Sequence, residues 1–367
     1  MRLMIEALIC IRGDGKTMKA IKMTELKKFA LAALENAGLS AEHAEITAEA
    51  LVTTDSFGTL SHGTKNLYQY ILKMRAGGLD PKAEPVIEAE GPAWAIINGN
   101  CAIGMVSGSK AMEKAIEKAR ATGISYVGVR NSCHFGAAGY YANLAASKGM
   151  IGICMSNADP NMAIPGSCDV AIGNNPFSFA VPTKDGKSVF LDMALSNVAA
   201  LKVIMAKEKG QSVPTTWIID EKGNQTTDPS GFPEHAHLQP MGAHKGYGLA
   251  VMVEVLSAVL TGASMLRQVT SWNLEMEKKN GAGHAFLAID IRQMMDLERF
   301  EERMEHIIHE LKSAPAITGQ EIFLPGEMEW AKRDMALRSD RIELTDAMAH
   351  NMEMLSEMYQ MELNWIE

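Results

Sequence analysis

The central part of the sequence alternates short β-rich runs with segments of helical character. Residues 93–99 are strand-like, 104–123 show the helical spacing of apolar residues, and 124–130 are again rich in β-forming residues. The pattern repeats in helix 137–149 and in the buried strand 151–156. Because strands that alternate with helices pack as a sheet covered by helices, the sequence predicts an α/β fold.

The first third of the chain is predicted to be helical. Helical spacing of apolar residues covers 25–38, with Thr24 as its N-cap, and then 40–58 and 64–78. Each of these segments ends at glycine, which readily adopts the left-handed backbone conformation that terminates helices.

The second half of the chain continues the alternation. The predicted elements are strand 188–194, helix 197–210, a strand and turn in 216–227, a long buried helix at 245–262, strand 284–290 and helix 294–314. A polar, methionine-rich helical segment follows to the C-terminus. No sequence repeat, low-complexity tract or long linker separates these elements.

Composition excludes several classes of protein. The chain has 367 residues, of which 47% are hydrophobic and 22% are charged, as is typical of a folded globular protein. Lys and Arg number 35 against 44 Asp and Glu, and no basic run occurs, so the sequence does not predict a nucleic-acid-binding protein. The apolar run 248–260 contains Glu254 and is shorter than the roughly 18 residues that a membrane span needs.

The cysteines and the N-terminal segment bear on the cellular compartment. Five cysteines, an odd number without a Cys-x-x-Cys pair, predict a reducing compartment, the cytoplasm. In residues 1–17, Glu6 interrupts the apolar stretch and no small-residue cleavage site follows, so no signal peptide is predicted. We expect residues 1–17 to be a dispensable extension, with the folded protein beginning at Met18 or Met23.

Two common nucleotide-binding fingerprints are absent from the sequence. No Gly-x-Gly-x-x-Gly motif occurs, and the Gly-Lys-Ser sequence at 186–188 lacks the upstream glycine of a phosphate-binding loop. Metal binding is not predicted either, because His235 and His237 lack a nearby third ligand. His306 and His309 belong to a strongly charged segment, and we interpret all four histidines as solvated surface residues.

Two loop histidines are candidates for acid–base chemistry. His62 lies in a Ser-His-Gly turn between two predicted helices, where it is either a surface residue or a residue that faces a cleft. His134 follows strand 124–130, at a strand end where open α/β sheets bind ligands, or else it caps or packs beneath the next helix. The neighbouring Cys133 has no evident partners for nucleophilic catalysis and is interpreted as a small buried thiol.

Asp192 and Lys245 are candidates for ligand contacts. Asp192 ends strand 188–194, which places it at the functional edge of a sheet unless it caps a helix. Lys245 opens a predicted helix within the glycine-rich segment 242–249. A cation there opposes the helix dipole, so we expect an anionic group to offset it, and the glycines permit a ligand to approach closely.

Taken in order, these motifs resemble those of the type-2 malate/L-lactate dehydrogenase family. The matching segments, over roughly residues 20 to 330, are the Ser-His-Gly turn, Ser132 to Gly136, 151–160, 173–182, 190–194, 242–249, Arg267–Gln268 and 323–327. Within this range, residues 212–229 are most similar to ureidoglycolate dehydrogenases.

The resemblance implies an NAD(P)-dependent oxidoreductase that interconverts a small 2-hydroxy acid and its 2-oxo acid. It implies NAD as the cofactor, with NADP as the alternative, and a homodimer. It also implies a non-Rossmann NAD(P)-binding domain with a mixed sheet, at residues 83–324, which agrees with the missing glycine fingerprint. A helical subdomain built from both termini is expected at 18–82 and 325–367.

The resemblance also assigns roles to individual residues. His62 and His134 correspond to the two histidines that have the acid–base role in different members of the family, so either is a candidate. Ser61, Lys65 and Asn66 lie on the substrate side. Cofactor contacts are expected from Ser156, Asp192, Met193, Ala194, His244, Lys245, Gly246, Pro325 and Gly326. An imidazole suits this reaction because it titrates near neutral pH and can take and return the hydroxyl proton.

Two positions depart from the family pattern. Phe57 and Asn66 stand where family members often carry arginines that bind carboxylates. Lys65 is adjacent to Asn66, but it lies about 100° away around a helix and lacks the guanidinium fork. We therefore expect a monocarboxylic 2-hydroxy acid with an uncharged tail to be preferred over malate. The alternatives are a cyclic imino acid reductase and a nucleotide-binding paralogue without turnover, although both histidines are retained.

Overall fold

The computed structural model describes residues 18–366. Its strands are β1 Met18–Ile21, β2 Val86–Gly91, β3 Trp94–Asn98, β4 Ile124–Ser132, β5 Met150–Ser156, β6 Met162–Ala163, β7 Val170–Ile172, β8 Phe177–Pro182, β9 Ser188–Met193, β10 Ile218–Asp220, β11 Gln225–Thr226, β12 Ala236–Leu238, β13 Ala282–Asp290, β14 Ile342–Thr345 and β15 Trp365–Ile366. Its α-helices are α1 Met23–Asn36, α2 Ala41–Ser56, α3 Leu67–Arg75, α4 Gly104–Thr122, α5 Ala138–Ala146, α6 Ala200–Glu208, α7 His244–Glu254, α8 Leu297–Lys312, α9 Glu327–Ser339 and α10 Asp346–Tyr359. The predicted α/β fold is confirmed, and the extension 1–17 lies outside the described residues.

The largest sheet has the strand order β2-β3-β4-β13-β5-β8-β9. Strands β3 and β4 are parallel and the other neighbours are antiparallel, so the sheet is mixed, as expected. Helices α4 and α5 pack against it through a buried core that includes Met112, Tyr141, Val127 and Phe286. Because β4 and β5 both run antiparallel to the central β13, their C-terminal ends lie at the same edge of the sheet. This edge positions the loop that carries His134.

A second sheet has the order β11-β10-β12-β6-β7. The strand and turn predicted at 216–227 form the hairpin of β10 and β11. Ile218 and Leu238 from this sheet pack with Val253 of α7 in a separate core. Helix α7 is thereby fixed beside the end of β9, where the predicted cofactor residues lie.

A small third sheet, with the order β14-β1-β15, was not predicted from the sequence. It pairs Ile21 with Ile342 on one side and with Trp365 on the other. The strands have only 4, 4 and 2 residues, and their partners are distant in sequence, so no local pattern marks them. The sheet joins the two ends of the described chain, and the buried Leu26 and Leu355 share one core there.

The first helix begins differently from the prediction. Its N-cap is Lys22, and Thr24 lies inside the first turn, so the prediction of Thr24 as the N-cap is wrong. Asp340, from the turn after α9, accepts from the Thr24 backbone at 2.9 Å and from its hydroxyl at 2.7 Å. A carboxylate from a remote turn therefore satisfies the helix start, which a local sequence pattern does not reveal.

The helix predicted to be buried at 245–262 is buried on one face only. Helix α7 continues as a π-helical turn at Val255–Val259, and the inward face carries small or polar residues such as Ala250 and Glu254. The large apolar residues Leu249 and Met252 are exposed. The apolar content of a helix does not by itself predict which of its faces is buried. In α7 the buried face includes Glu254, whose carboxylate accepts hydrogen bonds inside the protein. None of the described helices is long and apolar enough to cross a membrane.

Candidate active site

His62 and His134, which are far apart in sequence, lie side by side in the fold. Their ring centroids are 5.6 Å apart, and the ring planes are inclined by 27°. His62 belongs to the turn between α2 and α3, and His134 to the loop between β4 and α5. Both residues are partly buried, which leaves each accessible from one side. The structure thus brings together the two residues predicted to exchange a proton with substrate.

A buried carboxylate holds the turn that carries His62. One oxygen of Asp55 accepts from the Thr64 backbone at 3.0 Å and also from its hydroxyl. A Cβ atom on Gly63 would overlap this carboxylate, so the turn requires glycine at that position. Burial raises the pKa of Asp55 to about 7. The amide of Asn66 donates to the Ser61 carbonyl at 3.0 Å, so its nitrogen braces the same turn.

His62 lies between a hydroxyl and an ammonium group. Its Nδ1 atom is 2.7 Å from the Ser61 hydroxyl. Burial, with a smaller contribution from the charge of Lys65, lowers the pKa of His62 to about 4. Burial also lowers the pKa of Lys65, an effect that the charge of Glu208 opposes. No carboxylate in the described part of the chain forms an ion pair with Lys65, which leaves its charge available to an anionic substrate.

His134 is enclosed by two aromatic residues that were not predicted. The phenol oxygen of Tyr70 is 2.6 Å from Nδ1 of His134. The ring of Trp272 stacks on His134 at 4.4 Å, with only 13° between the planes. Burial lowers the pKa of His134 well below its usual value, with smaller contributions from His62 and His284. Tyr70 follows His62 by eight residues, which is only a weak sequence signal for a place in the site. Trp272 lies in a polar segment that gives no such signal.

A third histidine, His284, lies beneath this pair and was also missed. It is fully buried, with the Ser156 hydroxyl 2.8 Å from Nδ1 and the Ser132 hydroxyl 2.9 Å from Nε2. Burial lowers its pKa to about 3, so the ring is neutral at neutral pH. The Ser156 hydroxyl donates to the Asn157 carbonyl at 2.8 Å, so it can accept a proton from Nδ1 of His284. Nε2 then accepts from the Ser132 hydroxyl, and all three side chains are hydrogen-bonded. The hydroxyl of Ser156, a predicted cofactor contact, is therefore turned inward.

Asp192 lies at the end of β9, where it meets the start of α5. Its carboxylate accepts from the backbone of Gly139, and a Cβ atom on Gly139 would overlap it. Solvent reaches Asp192, yet the surrounding protein raises the pKa of its carboxyl to about 6, mainly by desolvation. Met193 and Ala194 follow it and are partly buried. Helix α5 begins four residues after His134, so Asp192 contacts the helix that directly follows the His134 loop.

The start of α7 packs against Leu195, the residue that follows Asp192, Met193 and Ala194. The Met241 backbone donates to Leu195 at 2.8 Å, and Gly246 donates to Met241 at 2.7 Å. A Cβ atom on Gly246 would overlap the Met241 and Leu195 backbone, so glycine is required. His244 and Lys245 are exposed in the first turn of the helix. The predicted residues 192–194 and 244–246 are therefore neighbours.

Pro325 and Gly326 contact β9, the strand that carries Asp192. The Phe190 backbone donates to the Pro325 carbonyl at 3.1 Å. Gly326 has a φ of +84°, and a Cβ atom there would overlap the Phe190 ring. This close approach places the start of α9 against β9, two residues from Asp192.

The chemistry of these groups fits a dinucleotide. The N-terminus of α7 has a partial positive charge, and Lys245 adds an ammonium that forms no ion pair within the described residues. Helix starts and lysines suit phosphate oxygens. The carboxylate of Asp192 suits hydroxyl donors, such as those of a ribose. The arrangement therefore has complementary groups for both parts of a nucleotide.

Phe57, at one of the two positions where family members often carry an arginine, is packed in a core and is not free to contact a substrate. It is buried with edge-to-face contacts to Phe190 at 5.5 Å and Trp330 at 5.0 Å. The Arg333 guanidinium lies over its ring at 5.0 Å and bonds to the Ser56 hydroxyl. An aromatic residue at this position is thus part of the packing between α2, β9 and α9.

Of the four histidines predicted to lie at the surface, His235, His306 and His309 are exposed. The prediction is wrong for His237, which is buried in β12 between β10 and β6. His235 contacts Glu221, and His306 lies 3.7 Å from Glu310. Within residues 18–366, no group of three or more His, Cys, Asp or Glu side chains is arranged to hold a metal ion.

Comparison with known proteins agrees with the arrangement of these residues. The family model described as malate/L-lactate dehydrogenase matches residues 21–353. A malate dehydrogenase of Pyrococcus abyssi is 40% identical over 301 residues, which cover 80% of this chain and 82% of the relative. An L-sulfolactate dehydrogenase of Methanocaldococcus jannaschii is 37% identical over 325 residues, covering 88% and 92%.

A solved structure extends the agreement to the fold. The malate dehydrogenase of Entamoeba histolytica matches with a TM-score of 0.89 at 30% identity, covering 95% of this chain and 99% of that chain. The family predicted from the motifs is thereby confirmed. The chain is an NAD(P)-dependent hydroxyacid dehydrogenase and belongs to the malate/L-lactate dehydrogenase family.

Proposed function

We propose that this dehydrogenase interconverts a small monocarboxylic 2-hydroxy acid and its 2-oxo acid, with His62 and His134 as the acid–base pair. The observation that carries the proposal is the pairing of two imidazoles, 5.6 Å apart, next to the cation Lys65, whose charge acts on His62. The imidazoles suit the hydroxyl proton, and the cation suits the carboxylate of the acid.

The acid–base step follows from the protonation states. The pKa of His62 is lowered to about 4 and that of His134 lies well below its usual value, so both rings are neutral and able to accept a proton. Tyr70 remains a phenol, since burial raises its pKa. If its oxygen accepts from Nδ1 of His134, the opposite Nε2 atom has a free lone pair for the hydroxyl proton. A bound nicotinamide supplies the hydride acceptor.

Two features support a monocarboxylic substrate. Lys65 is the candidate for binding one carboxylate. Asn66 uses its amide nitrogen to brace the Ser61 carbonyl, and it offers no charge to a second carboxylate. A single ammonium, without a guanidinium fork, favours an acid whose tail is uncharged.

The cofactor proposed is NAD, bound along Asp192, the start of α7 and Gly326. Asp192 has a carboxylate, which suits a free ribose hydroxyl and repels an added phosphate. Names of relatives include both NAD(+) and NADP(+). Comparing the kcat/KM for NADH with that for NADPH decides between the two.

A homodimer in the cytoplasm is part of the proposal. An apolar stripe on α7 and the following turn is exposed, with Leu249 at 47%, Met252 at 54%, Val259 at 55% and Leu260 at 56%. Clusters of exposed apolar residues are typical of subunit interfaces. Sedimentation of the parent protein and of Met252→Lys checks the assignment, because a charge in the stripe should favour monomers. The described cysteines are free, which suits a reducing compartment.

Two alternatives remain. Reduction of a cyclic imino acid is favoured by the likeness to a Pseudomonas syringae Δ1-piperideine-2-carboxylate reductase, at a TM-score of 0.82 and 26% identity. Nucleotide binding without turnover is the second alternative, and the paired histidines speak against it.

One screen tests the proposal and both alternatives. Purified protein is mixed with NADH or NADPH and a panel of 2-oxo acids, including pyruvate, oxaloacetate and 2-oxo acids with amide tails, together with a cyclic imino acid. Oxidation of the cofactor is followed by its absorbance. Turnover of a monocarboxylate above oxaloacetate agrees with the proposal. Turnover of the imino acid alone, or cofactor binding without any turnover, contradicts it.

A further inference from the structure

The loop between Thr270 and Asn280 closes on itself and contacts the active site. At its neck, the Thr270 backbone donates to Asn280 at 3.2 Å, and the Thr270 hydroxyl donates to Lys279 at 2.9 Å. Within the loop, the Ser271 backbone donates to the Glu275 carboxylate at 2.9 Å. A segment of this length with joined ends is an Ω-loop, a compact unit packed by its own side chains.

The loop presents Trp272 to the acid–base pair. Trp272 stacks on His134 at 4.4 Å and on Tyr70 at 5.1 Å. His134 therefore contacts two further rings besides Tyr70, those of His62 and Trp272. Such a stack restricts rotation of the imidazole, and the indole face favours the positive charge that the imidazole acquires when it takes a proton.

A buried lysine attaches the loop to α3. Lys73 is fully buried, and its ammonium donates to the Glu275 carbonyl at 2.9 Å and to the Lys278 carbonyl at 2.7 Å. Lys73 follows Tyr70 by three residues, so both side chains lie on the same face of α3. A buried ammonium is costly unless it is well bonded, and here main-chain oxygens of the loop supply the bonds.

A glycine near the end of α3 packs against the same part of the loop. A Cβ atom on Gly78 would overlap the carbonyl oxygens of Met276 and Lys278. At the start of the loop, the Ser271 hydroxyl donates to the side chain of Asn273 at 3.0 Å, and the Ser271 side chain also interacts with the Asp159 carboxylate. Separate contacts therefore fix the loop at Ser271 and at residues 275–278.

We propose that Trp272 is a positioning residue for His134, and that Lys73 holds the 270–280 loop in the place that this stacking requires. The inference rests on the proposed function, because it gives the stack a part in turnover. Neither residue touches the substrate in this scheme. Both act through the orientation and charge of the imidazole.

The role of Trp272 is tested by a pair of variants. Trp272→Leu removes the flat ring and is expected to lower kcat about 3- to 30-fold, the range of a cation–π contact, with the KM for the cofactor unchanged. Trp272→Phe keeps an aromatic face and should restore most of the kcat. Trp94→Phe, at an exposed side chain of β3, is the control. A Trp272→Leu protein with the parent kcat overturns the role of the ring.

The role of Lys73 is tested without reference to activity. Acrylamide quenching of Trp272 fluorescence is obtained by subtracting the Trp272→Phe background in each protein. Lys73→Met should raise the quenching constant of Trp272 at least about twofold, whereas Lys278→Met, at an exposed side chain, should not. An unchanged constant in Lys73→Met overturns the attachment.

If Lys73→Met does not fold, Gly78→Ala is measured instead, with the same two outcomes. A Cβ atom there displaces the Lys278 carbonyl, which Lys73 also bonds, together with the Met276 carbonyl. If the parent protein turns over none of the acids in the screen, the proposed function is wrong, whatever the result for Lys73. The quenching comparison still decides whether Lys73 holds the loop.

Discussion

The phenol oxygen of Tyr70 lies 2.6 Å from Nδ1 of His134, so this contact engages one of the two ring nitrogens and leaves the other, Nε2, outside it. The hydroxyl is fully buried on α3, and its ring also stacks with Trp272 at 5.1 Å. A hydrogen bond to Nδ1 leaves Nε2 for exchange with substrate. Catalytic histidines commonly need such a partner to fix their tautomer.

Tyr70→Phe is expected to lower kcat about 3- to 10-fold, because it removes one hydrogen bond and keeps the ring. The KM for the cofactor should not change. Tyr126→Phe is a matched control, since its hydroxyl donates to the Leu256 carbonyl at 2.6 Å outside the site. Steady-state kinetics of both variants provide the measurement, and equal losses in the two would argue against a special role for Tyr70.

Replacing either His62 or His134 by Ala is expected to lower kcat by about 10² to 10⁴, the usual contribution of general acid–base catalysis. Because the two rings are only 5.6 Å apart, either could reach the substrate hydroxyl. The variant with the larger loss in kcat identifies the ring that exchanges the proton. Single-turnover measurements with saturating cofactor separate the chemical step from product release. A variant with near-normal turnover would remove its residue from this role.

The parts of the site that were predicted lie close to local sequence signals. His134 was found because it follows the strand 124–130, and Lys245 because it opens a glycine-rich helix start. Trp272 and Asp55 were missed, since their roles depend on contacts made after the chain folds back. A polar loop and a helical aspartate look ordinary in isolation.

The fold shows the same limit. The alternation that predicted the large sheet is local, whereas the pairing of Ile21 with Trp365 joins segments at opposite ends of the described chain. That third sheet lies within the proposed helical subdomain, residues 18–82 and 325–367. The division from 83–324 stays a prediction, which limited proteolysis of the folded protein can examine.

Asp55 makes stability depend on pH. Burial raises the pKa of its carboxyl from 3.8 to about 7, so between these values the folded protein binds more protons than the unfolded chain. Stability from this group is therefore fully present below pH 4, falls as the pH rises, and is flat above 7. The difference corresponds to about 4 kcal/mol in the free energy of unfolding.

Asp55→Asn should remove this dependence and keep an oxygen that accepts from Thr64. Urea unfolding at pH 5 and pH 8 measures it: the parent should lose more stability than the variant between the two. Asp159 and Asp192, whose pKa values are also raised, remain in both proteins and cancel in the comparison. Asp185→Asn, at an exposed turn, should behave as the parent. Identical losses in Asp55→Asn and the parent would contradict the assignment.

Lys245→Ala is expected to raise the KM for the cofactor about 10-fold, because the phosphate of the cofactor loses its ammonium partner at the start of α7. The fold should stay intact, because the Lys245 side chain is exposed. Lys222→Ala, in the turn of the β10–β11 hairpin, controls for loss of surface charge. Cofactor titrations followed by fluorescence give the affinity directly. An unchanged affinity would mean that Lys245 only ends a surface turn.

The choice of substrate is the subject of the last prediction. Asn66 is nearly buried, and its amide donates to the Ser61 carbonyl, so an arginine there both adds a charge and removes a brace of the turn. Phe57→Arg is not a useful companion, because Phe57 is packed between Phe190 and Trp330.

Asn66→Arg should shift the ratio of kcat/KM for malate to kcat/KM for lactate towards malate by about 10-fold or more, since a charge-assisted pair to the second carboxylate contributes about 1.5–3 kcal/mol. The ratio is the right measure, because any weakening of the turn lowers both rates together and cancels. Asn66→Met, which removes the brace without adding a charge, should leave the ratio unchanged. The idea fails if the parent protein already prefers malate to every monocarboxylate tested, because Lys65 or another cation would then be binding the second carboxylate.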